Sequence, residues 1–169
     1  YYHKKMVDWG REQVMKNFLK GENIAIVTCR QSATNNTWSL VNVTDKITDD
    51  SFVSNRSKER GYICPLYIYH DEMQIDLTST EKRTPNLNMV LVKELLEKID
   101  KYKWINDHKS KQVDDINTIS PLDIFDYVYA ILHSPSYRTR YKDFLKEDFP
   151  RIPHARGKQS FWELVKLGS

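Results

Sequence analysis

Several basic and amide side chains in this chain carry the chemistry needed to meet a polyanion. Arg30 and Gln31 follow directly on the β-branched run NIAIVTC of residues 23–29. A guanidinium and an amide at a strand end can reach base edges or phosphates, and the same pair is equally common on ordinary surfaces. The loop NRSKERG of residues 55–61 sets Asn55, Arg56, Lys58 and Arg60 against the single carboxylate of Glu59, and it suits either water or a phosphate backbone. EKR at residues 81–83 adds Lys82 and Arg83, and RTRYK at residues 138–142 adds Arg138, Arg140 and Lys142. Basic clusters on separate segments can converge on one face. Their sum is small, since 26 basic and 23 acidic residues leave a net charge of +3, which alone implies no nucleic acid.

Catalytic chemistry is harder to find. No Gly-rich phosphate loop of familiar spacing is present. The five histidines, His3, His70, His108, His133 and His154, are scattered without metal-ligand spacing, and no cysteine accompanies them. The pairs Asp49-Asp50, Asp71-Glu72 and Asp114-Asp115 stand in polar text and read as solvated loop carboxylates. No constellation of carboxylates and a lysine describes a metal-dependent nuclease. These residues do not describe an enzyme.

The elements that must position the basic groups are legible in outline. Asp8 can cap a first helix carrying Val14, Met15, Phe18 and Leu19 on one side, with Gly21 ending it. Strands are expected in 23–29, in WSLVNV at 38–43, at Phe52 and Val53, and most strongly in YICPLYIY at 62–69, where Pro65 argues for an edge or a bulge. The tyrosines of that run could stack on bases; packing in a core is the commoner use. Asn88 can cap a helix with Val92, Leu95, Leu96 and Ile99 on its core face, and 104–119 reads as a polar linker. Then residues 120–153, SPLDIFDYVYAILHSPSYRTRYKDFLKEDFPRIP, spell a helical hairpin. Ser120 and Pro121 start one helix, with Asp123 in its first turn, and Ser134, Pro135 and Ser136 repeat the device. Phe125, Val128, Ile131 and Leu132 mark the buried face of the first helix, and Tyr137, Tyr141, Phe144 and Leu145 that of the second. FPRIP forces an extended path, and a final amphipathic helix follows Gly157.

The expected fold class is therefore α+β: a small mixed or antiparallel sheet from the N-terminal half, packed against a C-terminal helical hairpin and further helices. At 169 residues the chain is one domain's worth. Cys29 and Cys64 each sit in a strand-like apolar run, so buried, reduced thiols and a cytoplasmic setting are expected. No run approaches the ~20 apolar residues of a membrane span. A start at Tyr1 rather than Met is expected for a piece of a longer polypeptide.

At YICPLYIY, KRTPNLN, the 120–153 hairpin and FWELVKLG, the sequence resembles the C-terminal specificity region of type ISP restriction-modification enzymes and related single-chain, type IIG-like enzymes. GREQVMKNFLKGENIAIVTCRQ extends the resemblance over most of the chain. In such enzymes one polypeptide carries a nuclease, a helicase-like motor, an adenine-N6 methyltransferase and then a target-recognition domain. The resemblance implies that residues 1–169 are that last part, a single domain within a larger restriction-modification polypeptide. Double-stranded DNA and the methyltransferase domain of the same polypeptide are its implied partners. The methyltransferase's Asn-Pro-Pro-Tyr type motif and Gly-rich cofactor strand are absent here. No catalysis and no cofactor are therefore expected in this fragment, and S-adenosylmethionine, ATP and magnesium would belong to the parent. Within that reading Arg30, Gln31, Asn55 and Arg56 are the candidates for base edges. Lys58, Arg60, Lys82 and Arg83 are the candidates for phosphates. The hairpin is assigned to scaffold, with Arg138, Arg140 and Lys142 able to reach the DNA backbone or the neighbouring domain. The alternative is a non-catalytic module that couples the methyltransferase to the motor.

Overall fold

The run that precedes Arg30 forms the central strand of the largest sheet. In the computed structural model, which describes residues 12–32, 38–54, 59–70, 82–111 and 115–169, β1 (Ala25–Cys29) is buried along its whole length. It lies between β2 (Val41–Thr44) and β3 (Gly61–Pro65), antiparallel to both. A strand covered on both faces must be apolar throughout, which accounts for the lack of alternation in AIVTC. Cys29 pairs with Gly61 at one end of the sheet, and Ala25 with Thr44 and Pro65 at the other.

The run YICPLYIY, expected as one strand, serves two sheets. Pro65 has no N–H to continue a ladder. Just after it, the Leu66 N–H donates to Ile24 O at 2.8 Å, while Leu66 O accepts from the Asn86 N–H at 2.8 Å. The chain thereby passes from β3 to β4 (Tyr67–Tyr69), which pairs antiparallel with β5 (Arg83–Pro85). Phe52 and Val53, expected to be extended, lie instead in a turn closed by the Ser54 N–H on Ser51 O at 3.1 Å. Cys29 is buried as expected, whereas Cys64, on the edge strand β3, is exposed; both are free thiols.

The first helix, α1 (Glu12–Leu19), packs differently from its apolar spacing. Leu19 is 76% exposed and the buried residue is Asn17. The Asn17 side chain accepts from the Tyr69 N–H at 2.9 Å and donates to Gln13 O and Val14 O, so a polar staple joins the helix to β4. Asn23 supplies a second staple: its amide donates to Tyr67 O at 2.8 Å, and its carbonyl accepts from the Tyr67 N–H at 3.1 Å. Asp8 lies outside the described residues.

Asn88 caps α2 (Met89–Leu95) by accepting from the Val90 and Leu91 N–H groups, and Val92, Leu95, Leu96 and Ile99 are buried as expected. The stretch that read as a linker carries a parallel pair, β6 (Lys103–Trp104) with β7 (Thr118–Ile119), and a 3-10 turn at His108–Ser110 capped by Asp107.

Ser120 starts α3 (Pro121–His133) in a reciprocal capping box with Asp123, and Ser134 both ends α3 and caps α4 (Pro135–Arg140). The joint between the two helices is as tight as the paired caps require. The second helix is divided, however, with a short α5 (Phe144–Glu147) after a turn, and Tyr141 is 37% exposed. The principal packing partner of α3 is α6 (Lys158–Gly168), where the rings of Tyr127 and Phe161 stack at 5.2 Å. Gly168 lies so close to Asp126 O that a Cβ there would collide with it. The FPRIP segment is extended and held by two hydroxyls, with Tyr137 donating to Arg151 O at 2.8 Å and Tyr127 to Pro153 O at 3.0 Å. Among the described residues no helix is long and apolar enough to cross a membrane.

Candidate nucleic-acid interface

Antiparallel pairing decides which of the basic residues meet. The end of β1 and the start of β3 are paired, so Arg30 and Gln31 emerge at the same end of the sheet as Arg60. Ser32 ties the two segments together: its buried hydroxyl donates to Glu59 Oε1 at 3.2 Å. Burial pushes the neighbouring Cys29 thiol up to about 11, which removes it from reactive chemistry near neutral pH. Arg30, Gln31 and Arg60 are all exposed. Asn55, Arg56 and Lys58 lie outside the described residues.

Two of these groups already touch carboxylates. Arg30 Nε lies 3.4 Å from Asp148 Oδ1, and Arg60 Nε lies 3.2 Å from Asp50 Oδ2. Both contacts are made through Nε alone. The carboxylates come from segments that no motif associates with the arginines, and Asp148 is 118 positions from Arg30.

The C-terminal helices close on this same end. The Ser32 N–H donates to Lys146 O at 3.0 Å, Tyr62 meets Phe149 edge-on at 5.0 Å, and the Arg138 guanidinium lies 5.7 Å from the Trp38 ring. Arg138 is committed internally: its Nε donates to Leu132 O at 2.6 Å, and burial lowers its pKa below the usual arginine value. Arg140, Lys142 and Arg151 are exposed.

Lys82 and Arg83 stand elsewhere. Arg83 pairs with Tyr69, and the strand path from Gly61 to Tyr69 covers roughly 25 Å at about 3.3 Å per residue. Lys82 is exposed, but the Arg83 side chain is only 10% exposed and its guanidinium is fully engaged. Nη2 donates to both Asp107 oxygens at 2.8 and 2.9 Å, Nε donates to Oδ2 at 3.1 Å, and Nη1 donates to Glu22 O at 2.9 Å. The cation also sits 4.0 Å over the Tyr67 ring. Tyr67 is 1% exposed, its hydroxyl 2.8 Å from His108 Nδ1, so this tyrosine packs a core. Burial pushes the Tyr67 hydroxyl up to about 12. Lys109 pairs with Glu22 beside the same cluster. The expectation that Arg83 lies on phosphate meets a group that is built into the protein. Asp107, which holds it, falls in the stretch that read as a linker.

Among the described residues no group of three or more His, Cys, Asp or Glu side chains is arranged to hold a metal ion. What remains is an α+β module with an arginine- and amide-bearing sheet end buttressed by helices. The Type ISP C-terminal specificity domain family matches residues 1–169, and the chain belongs to it. A specificity domain is a non-catalytic part of its enzyme.

Two solved structures are similar. One, described as "cryoEM structure DrdV-DNA complex", is 28% identical, covers 88% of this chain and has a TM-score of 0.56. The other, described as "ATP-dependent Type ISP restriction-modification enzyme LlaBIII bound to DNA", is 18% identical over 88% of this chain with a TM-score of 0.58, a likeness of fold. This chain spans 11% and 8% of those two chains. No curated protein matches it.

Proposed function

We propose that this domain is the DNA target-recognition module of a restriction-modification polypeptide, and that it meets duplex DNA with the sheet end bearing Arg30, Gln31 and Arg60. The observation that carries this is the separation of the basic groups. The arginines at this end are exposed with their terminal nitrogens uncommitted among the described residues, whereas Arg83 is locked into an internal ion pair. Family membership and the DNA complexes formed by the two similar structures support the same partner. In this reading Arg30 and Gln31 reach base edges, with Asn55 and Arg56 as further candidates for them, and Arg60 sets register on phosphates together with its sequence neighbour Lys58. Lys82 is a candidate for a more distant phosphate. Arg83 acts by holding the segment around Asp107. Adenine-N6 methylation, cleavage and the motor belong to other parts of the parent, as do S-adenosylmethionine, ATP and magnesium, and the methyltransferase domain is the neighbour within the polypeptide.

The test is duplex binding by the full-length polypeptide across a salt series. Replacing Arg60 by alanine should weaken binding to all sequences alike and reduce the salt slope by about 1. Replacing Arg30 should relax base preference as well as lower affinity. Unchanged binding and unchanged slope in both variants would overturn the assignment of this face.

The coupling alternative has one observation in its favour: on α2, Val90 and Leu91 are 65% and 60% exposed, an apolar edge a neighbouring domain could cover. Loss of activity with intact DNA binding after Val90→Ser and Leu91→Ser would favour it.

A further inference from the structure

We propose that Asp148 and Asp50 are positioning residues for DNA contact, each holding the Nε of one arginine so that its terminal nitrogens are presented in one orientation, those of Arg30 to a base edge and those of Arg60 to a phosphate. The inference rests on the reading of this sheet end as the DNA-contacting face, and it assigns to two carboxylates a role that neither charge nor motif reveals.

The argument begins with which atoms are used. An arginine can grip a carboxylate, a phosphate or a guanine edge side-on through Nε and one Nη, or end-on through Nη1 and Nη2. Arg83 uses the first mode on Asp107 and has its remaining nitrogen occupied as well. Arg30 and Arg60 do neither. Each gives only Nε to its carboxylate, at 3.4 and 3.2 Å, and among the described residues Nη1 and Nη2 make no hydrogen bond. With Nε engaged, the end-on fork is the mode left for DNA; it matches the O6 and N7 acceptors of guanine in the major groove for Arg30 and two phosphate oxygens for Arg60.

The carboxylates are anchored, as positioning groups must be. Asp50 is fixed to the first residue of β3, where its backbone oxygen accepts from the Gly61 N–H at 2.8 Å. A Cβ at Gly61 would come 3.3 Å from that oxygen, so the two segments approach closely here. Asp148 ends α5, donating from its backbone N–H to Phe144 O at 3.1 Å, and α5 is tied to the loop after β1 by the bond from Ser32 to Lys146. Each long arginine side chain is thereby restrained by a rigid neighbour, which reduces the entropy lost when it docks on DNA.

A second consequence concerns wrong sequences. Asp148 beside Arg30 repels phosphates, so backbone binding by this arginine is penalised, while a bidentate base contact through the fork is retained. The pair of Arg30 with Asp148 therefore raises the ratio of specific to non-specific binding. As stability elements the two pairs matter little, since all four side chains are 45–65% exposed.

The experiment uses the full-length polypeptide. Base preference is obtained by selecting from a randomised duplex library, and affinities are then measured for a selected duplex and a scrambled one at fixed salt. Asp148→Ala should lower the selected-to-scrambled affinity ratio about tenfold, one good bidentate contact's worth of discrimination. It should tighten binding to the scrambled duplex and blur the same base positions that Arg30→Ala blurs. Asp148→Asn keeps an oxygen acceptor for Nε, so it should retain the base preference while still binding the scrambled duplex more tightly. Asp50→Ala, acting through Arg60, should change affinity for both duplexes alike and leave their ratio as it is. Asp45→Ala is the control, because Asp45 is an exposed carboxylate paired with Lys46 at the far end of β2. If Asp148→Ala changes the ratio, and Asp50→Ala the affinity, no more than Asp45→Ala does, while Arg30→Ala still weakens binding, the positioning role is wrong and the DNA face stands. If Arg30→Ala and Arg60→Ala are silent as well, the face and the positioning role fall together.

Discussion

Arg83 and Arg30 stand in similar local text, a basic residue beside another polar one at a strand terminus, and the fold uses them in opposite ways. Arg83 is enclosed by Asp107, Glu22 and the Tyr67 and Tyr69 rings, and holds the 103–111 segment against the β4–β5 pair. Arg30 touches one exposed carboxylate through one nitrogen. The difference lies in the burial of the arginine itself, 10% exposed for Arg83 against 59% for Arg30, since Asp107 and Asp148 are exposed to similar extents, 39% and 45%. Asp107 caps a 3-10 turn and has both oxygens turned to the guanidinium, so a bidentate pair forms on a cation that is itself buried. Asp148 ends a short helix at the surface, where water competes for every donor. The general lesson is that basic residues are sorted by their burial and by the geometry of their carboxylate partners, and charge clusters in the sequence do not sort them.

The largest expected effect breaks the enclosed side of this comparison. Arg83→Ala removes the bidentate pair and leaves Asp107 without its counter-charge, which should cost about 2–3 kcal/mol in denaturant unfolding. Arg83→Lys should recover little of it, because an ammonium cannot make the fork or spread over the Tyr67 ring. Acid dependence provides a second readout. Burial pushes the Asp107 carboxyl up, but the Lys109 N–H and the Arg83 guanidinium outweigh it and hold the group below the usual carboxylate range. A lowered folded pKa gives stability that is present above the ordinary carboxylate value and is lost as the pH falls through the lowered one. The natural protein should therefore lose stability in acid below about pH 4, and Arg83→Ala should show a shallower acid slope. Equal slopes would mean that the pair contributes nothing to folding.

A smaller effect is expected where a buried carboxylate lacks such a partner. Asp126 on α3 is 9% exposed, and burial first, then the neighbouring Asp123 charge, pushes it up to about 6; the Lys111 ammonium opposes this but bonds to Asp123 at 2.6 Å. A raised folded pKa gives stability that is complete below the unfolded value near 4 and is lost as the pH rises through about 6. Asp126→Asn should then raise stability by about 1–2 kcal/mol at pH 7–8 and flatten the fall between pH 4 and 6. Thermal unfolding across that range checks it. A destabilised Asn variant at pH 8 would show that the ionised carboxylate has a favourable partner in the folded chain.

Local text carried the secondary structure further than it carried the site. The capping box at Ser120, the shared cap at Ser134 and the Asn88 cap are each written within four residues, and each forms as written. The packing of α6 on α3 brings Gly168 to Asp126 and Phe161 to Tyr127 across the fold, which no local pattern shows. Leu19 misled because the contact between α1 and β4 is made by the Asn17 amide rather than by an apolar stripe. At the site, the clusters containing Arg30, Arg60 and Arg83 were visible as charge. Their separation was not, because it follows from antiparallel pairing and from the change of sheet at Leu66. Asp50 read as a solvated loop carboxylate, Asp107 and Asp148 belong to no motif in the sequence, and only three-dimensional proximity distinguishes the three.

The smallest effect on folding is the one that defines the other side of the comparison. Arg30 and Arg60 are 59% and 65% exposed and each makes a single Nε contact, so Arg30→Ala and Arg60→Ala should each change unfolding stability by less than about 0.5 kcal/mol. The paired expectation is that these variants weaken DNA binding while Arg83→Lys, once corrected for its folded fraction, binds as the natural protein does. Stability and binding should thus order the three arginines in reverse. If Arg30→Ala proved as destabilising as Arg83→Ala, the contact with Asp148 would be holding α5 against the sheet. The two ends of the molecule would then differ in exposure alone, and the case for Arg30 as a reader of bases would have to rest on binding data.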